Sequence, residues 1–259
     1  MNVVVCVKQI PDPAVPGELD PDHTLKREGK LILDESDSYG VEMALQLVEA
    51  GGGGEVILVS MAPNGEVSGL RTALAMGAAR AVLASDPALA GSDSLSTARV
   101  LAKSIERAGD VDLVLTATES SDGYTGTVPG QIAATLGWPA LTFAKKVETL
   151  DGKVKIQRQT EAGYDTVEAS LPAVVSVTAG VVEPRYPSFK GIMAAKNKPV
   201  DAVTAADLGL AADQVGWAGA RQEITNVEAA PAREAGEKFE DDGTGFEKVV
   251  TFLETLKVL

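Results

Sequence analysis

The sequence holds one cysteine and one histidine, Cys6 and His23, among 259 residues. A lone cysteine excludes an intramolecular disulfide, and with a single histidine beside it the usual Cys/His zinc sites cannot be assembled. Hydrolysis of the Ser/His or Cys/His kind would have to run through His23, which lies in the charged stretch DPDHTLKRE and reads as a surface residue. Aromatic residues make up only 4% of the chain, so a core must come from small aliphatic side chains. Basic charge is also scarce, with 23 Lys and Arg against 37 Asp and Glu and a net charge of -14. That balance argues against nucleic-acid binding, which needs clustered cations, and reads as solubility. No apolar run approaches the roughly 20 residues of a membrane span. The start MNVVVCVKQ has neither the basic flank nor the long apolar run of a signal peptide. The expectation is a cytoplasmic protein that is not integral to a membrane.

What is abundant is short runs of Val, Leu and Ile. Val3–Val7, Val56–Val59, Val82–Leu83, Val111–Leu115 and Val174–Val177 read as buried strands. Between them Val41, Ala44, Leu45 and Val48 share a helical face, as do Val67, Leu70 and Leu74, then Leu95, Ala98, Leu101, Ala102 and Ile105. Gly51, Gly77 and Gly109 stand where left-handed C-terminal caps are expected. Strands alternating with helices of this length require crossovers, hence an α/β fold with a mostly parallel sheet and helices on both faces. A long Pro-rich loop follows the first strand, and residues 153–159 and 164–171 read as a β-hairpin at an antiparallel edge. The main domain is placed at 1–209. After it the sequence is poor in core residues until Phe246, Val249, Val250, Leu253 and Leu256 mark an amphipathic helix, which either docks on its own domain or reaches another subunit.

Two stretches stand out chemically. Thr116–Ala134, TATESSDGYTGTVPGQIAA, leads from an apolar strand into an Ala-rich helix, with Gly123, Gly126 and Gly130 for close backbone approach and Ser120, Ser121, Thr125 and Thr127 for hydroxyls. It fits either a phosphate at a helix N-terminus or a plain strand-to-helix turn, and is neither GxGxxG nor a Walker loop. In Glu183–Lys198, EPRYPSFKGIMAAKNK, Tyr186, Phe189, Ile192 and Met193 occur among Pro, Lys and Gly. Gly191 is expected at a sharp turn, and Phe189 is either an outward anchor or part of a helix buried at home. Asp34, Glu35 and Asp37 precede a helix expected to begin near Ser38 and read as capping charges.

VVVCVKQIPD, VSMAP, RTALAMGA, VEASLPAVVSV and EPRYPSFKGIMAAK, in this order over nearly the whole chain, resemble the electron-transfer flavoprotein beta subunit family. The resemblance implies a Rossmann-like, adenine-nucleotide-binding domain with a recognition loop at 184–198, and a C-terminal arm and helix at 210–259 that wraps an alpha subunit. It implies FAD held mainly by that alpha subunit, and a buried AMP in the beta subunit. The AMP site would comprise Cys6, Asp34, Glu35, Ser36, Asp37 and Met61, with the loop residues Asp122, Gly123, Tyr124, Thr125, Gly126, Thr127, Val128, Pro129, Gly130, Gln131, Ile132 and Ala133. Partner dehydrogenases would dock on Phe189, with Ile192 and Met193 beside it. Electrons would pass from flavin dehydrogenases, such as acyl-CoA dehydrogenases of fatty acid oxidation, to a membrane quinone oxidoreductase, and the chain alone would not be an enzyme. Asp34-Glu35 stands where many relatives have Asn-Pro, and the acidic run of the loop is reduced to Asp122, which leaves a second FAD as the alternative to AMP. A stand-alone adenine-nucleotide sensor is the rival reading.

Overall fold

Four residues, Val3–Cys6, all buried, form strand β1 at the middle of a nine-stranded sheet. In the computed structural model, which describes residues 1–259 except 229, 233, 234, 237, 239 and 241, the chain divides into two units, Met1–Glu223 and Ile224–Leu259. In the first unit β1 is followed by β2 (Gln9–Pro11), β3 (Leu31–Leu33), α1 (Glu35–Ala50), β4 (Val56–Ala62), α2 (Ser68–Met76), β5 (Arg80–Ser85), α3 (Ser94–Ala108), β6 (Leu113–Ala117) and α4 (Val128–Leu136). Then come β7 (Ala140–Leu150), β8 (Lys153–Thr160), β9 (Gly163–Ser170), β10 (Ala173–Val177), α5 (Phe189–Ala195), β11 (Val200–Val203) and α6 (Gly216–Gly219). The sheet order is β11-β5-β4-β1-β6-β10-β7-β8-β9. Pairing is parallel as far as β7, and the hairpin β8–β9 adds an antiparallel edge.

This architecture follows from the apolar runs. A strand buried on both faces needs side chains that fill space without polar atoms, and Val, Leu and Ile supply them. On one face Val3, Val5, Leu58, Leu115 and Val175 pack with Val41, Leu45, Leu70 and Leu74 of α1 and α2. On the other, Val4, Ile57, Val59, Val114 and Val174 pack with Ala98, Leu101, Ile105 and Ile132 of α3 and α4. From β1 the chain builds outward to β4 and β5 on one side, then returns to lay β6 and β10 on the other. The order therefore reverses between β1 and β6, and the carboxyl ends of those two strands open a crevice of the kind that takes ligands in parallel sheets.

Several expectations need correction. Helix α1 begins at Glu35, three residues before Ser38, because Asp34 is its N-cap and accepts from the Ser36 N–H at 3.0 Å. Gly51 has φ -78 and its N–H still bonds to Leu47, so the left-handed turn comes one residue later, at Gly52 with φ 79. Strands β2, β3, β7 and β11 were not anticipated. β7 hides because its alternation breaks where Phe143 takes φ 61 and the register with β8 shifts. The packing of the first unit also runs past residue 209: Val215 is buried, and Gly216 donates to Ser92 Oγ at 2.9 Å. In the second unit α7 (Gly245–Thr255) carries the expected stripe, with Phe246, Val249 and Val250 exposed. The linker before it includes the six residues outside the described set. Among the described residues no helix is long and apolar enough to cross a membrane, and no group of three or more His, Cys, Asp or Glu could hold a metal ion.

Helix α2 can lie against β2 and β3 only because Gly69 has no side chain, since a Cβ there would come 2.8 Å from Gln9 Cγ and 2.9 Å from the backbone at Ile32 and Leu33. Gly69→Ala should cost roughly 1–3 kcal/mol of stability. Gly130→Ala in α4, where an added Cβ meets nothing within 4 Å, should instead be neutral or stabilise by up to about 1 kcal/mol. Urea unfolding of both variants checks this, and equal losses would refute it.

Candidate functional site

The loop after β6 and the start of α1 meet over the end of β1. Asp34, fully buried, donates its N–H to the Lys8 carbonyl at 2.9 Å and caps α1 with one carboxylate oxygen. Its other oxygen accepts from the Ser121 N–H at 2.8 Å and from Ser121 Oγ at 2.9 Å. One turn on, Asp37 accepts from the Lys8 N–H at 2.5 Å. Asp122 is gripped by Lys8 Nζ at 2.6 Å and by Arg27 Nη2 at 3.1 Å. Arg27 also donates to the Gln9 carbonyl at 2.8 Å, which ties the Pro-rich loop to the end of the sheet. The capping role expected of Asp34 is therefore only part of what it does. Lys8 and Arg27 were missed because both are distant in sequence from the carboxylate they hold, although Lys8 stands within VVVCVKQIPD.

Beyond Asp122 the chain stays open. Tyr124 and Gly126 take φ 49 and 63, and Gly123, Tyr124, Thr125 and Thr127 are exposed. Thr127 is the N-cap of α4 without a side-chain bond of its own, and Pro129 occupies the first turn. The first-turn N–H groups of α4 thus face a loop of hydroxyls and glycines, which suits an anion. Ile132 and Ala133 are buried in the core beneath this turn, and Val128 packs beside them. Cys6, at 8% exposure, and Met61 lie on the same face of the sheet as α3 and α4. Thr116 belongs to that face too, one register step beyond the Val5–Leu115 pair and opposite Ser176. Among the described residues the buried atoms Thr116 Oγ1, Ser96 Oγ, Ser60 Oγ and Gln131 Oε1 find no hydrogen-bond partner in the chain. Buried hydroxyls without partners are rare and mark places where a polar ligand or water completes the bonding. No sequence pattern flags Ser96, and Thr116 was noted only as the start of the stretch 116–134.

Electrostatics divides the cluster. Burial pushes the Asp37 carboxyl well above the usual carboxylate range, opposed by the Lys8 N–H and reinforced by Asp34. Burial acts the same way on Asp122, but Lys8 and Arg27 outweigh it and hold that carboxyl below its usual value. Burial and Asp37 push the Cys6 thiol far up, so it stays protonated and is no nucleophile. Glu35 is exposed in the first turn of α1. Ser36 lines a separate cleft of about 740 Å³ with Thr118, Glu119, Phe143, Gln159 and Thr178. His23 sits half-buried at φ 65 in a turn whose N–H bonds to Asp20.

The segment at 184–198 is the second feature. Tyr186 is 93% exposed, Phe189 81%, and Ile192 and Met193 48% each. Phe189 opens α5, capped by Ser188, which accepts from the Gly191 N–H at 3.0 Å. Gly191 is thus inside the helix and not at a turn. It is glycine because a Cβ would lie 2.4 Å from the Ala75 carbonyl oxygen of α2.

Comparison with known proteins adds identity to this geometry. Residues 22–208 match the family model described as the electron transfer flavoprotein domain. The chain is 42% identical, over 100% of its length and 99% of the relative's, to the electron transfer flavoprotein subunit beta of Mycobacterium bovis. It is 36% identical to the subunit of the same name from Megasphaera elsdenii, covering 93% of each chain. It is also 36% identical to the caffeyl-CoA reductase-Etf complex subunit CarD of Acetobacterium woodii, over 92% of this chain and 91% of that one.

The raised carboxyl of Asp37 gives the crevice a pH signature. A carboxyl titrating higher in the folded than in the unfolded state contributes stability that is full below the unfolded value and is lost as pH rises through the folded one. Asp37→Asn keeps an acceptor for the Lys8 N–H and removes the titration. Its melting temperature relative to the parent should be near zero difference at about pH 4 and increasingly positive toward neutrality. A difference that does not vary with pH would contradict this reading.

Proposed function

The chain belongs to the electron transfer flavoprotein subunit beta family, and from that premise we propose that it pairs with an alpha subunit to carry electrons from flavin dehydrogenases, such as acyl-CoA dehydrogenases, to a membrane quinone oxidoreductase. The observation that carries this reading is the exposed Phe189, mounted on a short helix fixed to the body of the protein. A large aromatic side chain left in water on an ordered support is the usual form of an interaction hot spot. A stand-alone nucleotide sensor has no use for such a platform.

In this reading FAD, held mainly by the alpha subunit, supplies all the redox chemistry. This chain binds, orients and presents. Its crevice takes a second adenine nucleotide, AMP, with a second FAD as the alternative. Residues 123–130 and the first turn of α4 receive the phosphate, Cys6 and Met61 wall the crevice, and Thr116 Oγ1 and Ser96 Oγ, buried without partners, supply hydrogen bonds that a ribose or a base completes. Lys8 and Arg27, which share the carboxylate of Asp122, are the cations available near a phosphate at the mouth. The segment from residue 224 onward, ending in α7, is the arm that wraps the alpha subunit, since Phe246, Val249 and Val250 are exposed and no apolar side chain is buried among the described residues of the second unit. The setting is cytoplasmic.

The test is expression with and without an alpha subunit. The chain alone should be colourless, and co-expression should yield a yellow one-to-one complex with flavin absorbance. Stoichiometric FAD on the isolated chain would overturn the assignment.

A further inference from the structure

The platform at 184–198 is clamped at both ends by charged side chains. At its leading end Arg185 grips Glu42 of α1, whose side chain is only 4% exposed, with Nε to Oε2 at 2.6 Å and Nη2 to Oε1 at 3.0 Å. The Arg185 N–H adds a bond to the same carboxylate at 3.2 Å, and Nη1 reaches Glu49 at 2.8 Å. At the trailing end Arg71 Nη1 donates to the carbonyls of Ala195 and Lys198, both at 2.7 Å, and Lys198 Nζ donates to those of Leu74 and Ala78 at 2.9 and 2.6 Å. Between the clamps stand four exposed apolar side chains, Tyr186 ahead of a helix of seven residues and Phe189, Ile192 and Met193 on it. A helix that short does not hold its form in water unaided. Four apolar side chains on a loose loop would turn inward. What keeps them out is therefore the frame, and its most committed member is the planar fork of Arg185 on a buried carboxylate.

We infer that Arg185 is a positioning residue for docking: its pairing with Glu42 and Glu49 fixes the direction in which Phe189 protrudes, so that a partner meets a surface already ordered and need not order it on binding. This rests on the docking role proposed for Phe189. It assigns to Arg185 no contact with the partner.

A double-mutant cycle in the heterodimer tests it, with Phe189→Ala, Arg185→Ala and the double variant. The readouts are flavin reduction by a substrate-reduced medium-chain acyl-CoA dehydrogenase, melting temperature, and amide exchange at residues 186–193. Phe189→Ala should raise the half-saturating dehydrogenase concentration about tenfold or more. Arg185→Ala should raise it about tenfold, with the maximal rate unchanged, and speed exchange at 186–193 by a similar factor, the scale of one lost charge-assisted hydrogen bond. The double variant should dock no worse than Phe189→Ala alone, while the losses in melting temperature add. Arg185→Lys, which keeps the charge without the fork, should fall between. Additive losses in docking, or unchanged exchange at 186–193 in Arg185→Ala, would overturn the inference. If Phe189→Ala leaves half-saturation unchanged, the docking reading itself fails and this inference with it. Should Arg185→Ala not fold, Arg185→Lys and Glu49→Gln take its place, and unchanged exchange in both refutes it.

Discussion

The buried carboxylate of Asp34 is the contact on which the ligand-facing end of the sheet depends. Its backbone N–H meets the end of β1 at the Lys8 carbonyl, one of its oxygens starts α1, and the other holds the loop after β6 through the Ser121 N–H and hydroxyl. Three segments far apart in sequence thus converge on a single residue. A carboxylate in this position must have its lone pairs occupied by donors or it would not be tolerated in the interior. Three donors occupy it. The geometry of the crevice follows, because α4 can start only where the loop from Ser121 delivers the chain.

Helix α1 extends that constraint across the molecule. Its first turn carries Asp34 and Asp37 at the crevice, and its later turns carry Glu42 and Glu49 under the platform. The loop after β6 and the platform at 184–198 are thereby referred to one rigid rod, packed on the sheet through Val41, Ala44 and Leu45. This suits the proposed role, in which reaction partners and cofactors need fixed relative placement.

The sheet was legible because the apolar runs at β1, β4, β6 and β10 are buried on both faces, and such strands write themselves as uninterrupted Val, Leu and Ile. The hairpin β8–β9 was legible from its alternation and turn. β2, β3 and β11 were not, because strands of three or four residues carry too little pattern to separate from loop. β7 was not, because the left-handed Phe143 breaks its period. At the crevice, the glycine and hydroxyl composition of residues 120–130 singled out the loop that the structure sets at the end of β6 and before α4. What holds that loop was not legible: Lys8 and Arg27 were not singled out, and the pairing of Ser121 with Asp34 joins residues far apart, these contacts spanning 87 to 114 residues in sequence. Arg185 was hidden for the same reason, and Gly191 was misread because a helix glycine placed for close packing looks in sequence like a glycine placed for a turn.

The central claim is that the crevice between β1 and β6, framed by Asp34, is where this chain takes its nucleotide. Amide exchange of the purified protein titrated with AMP tests it most directly. Slower exchange is expected at residues 120–133, with Phe143 and Gln159–Glu161 of the cleft that Ser36 also lines unaffected. Protection confined to that cleft, or none at 120–133 under saturating AMP, would contradict it.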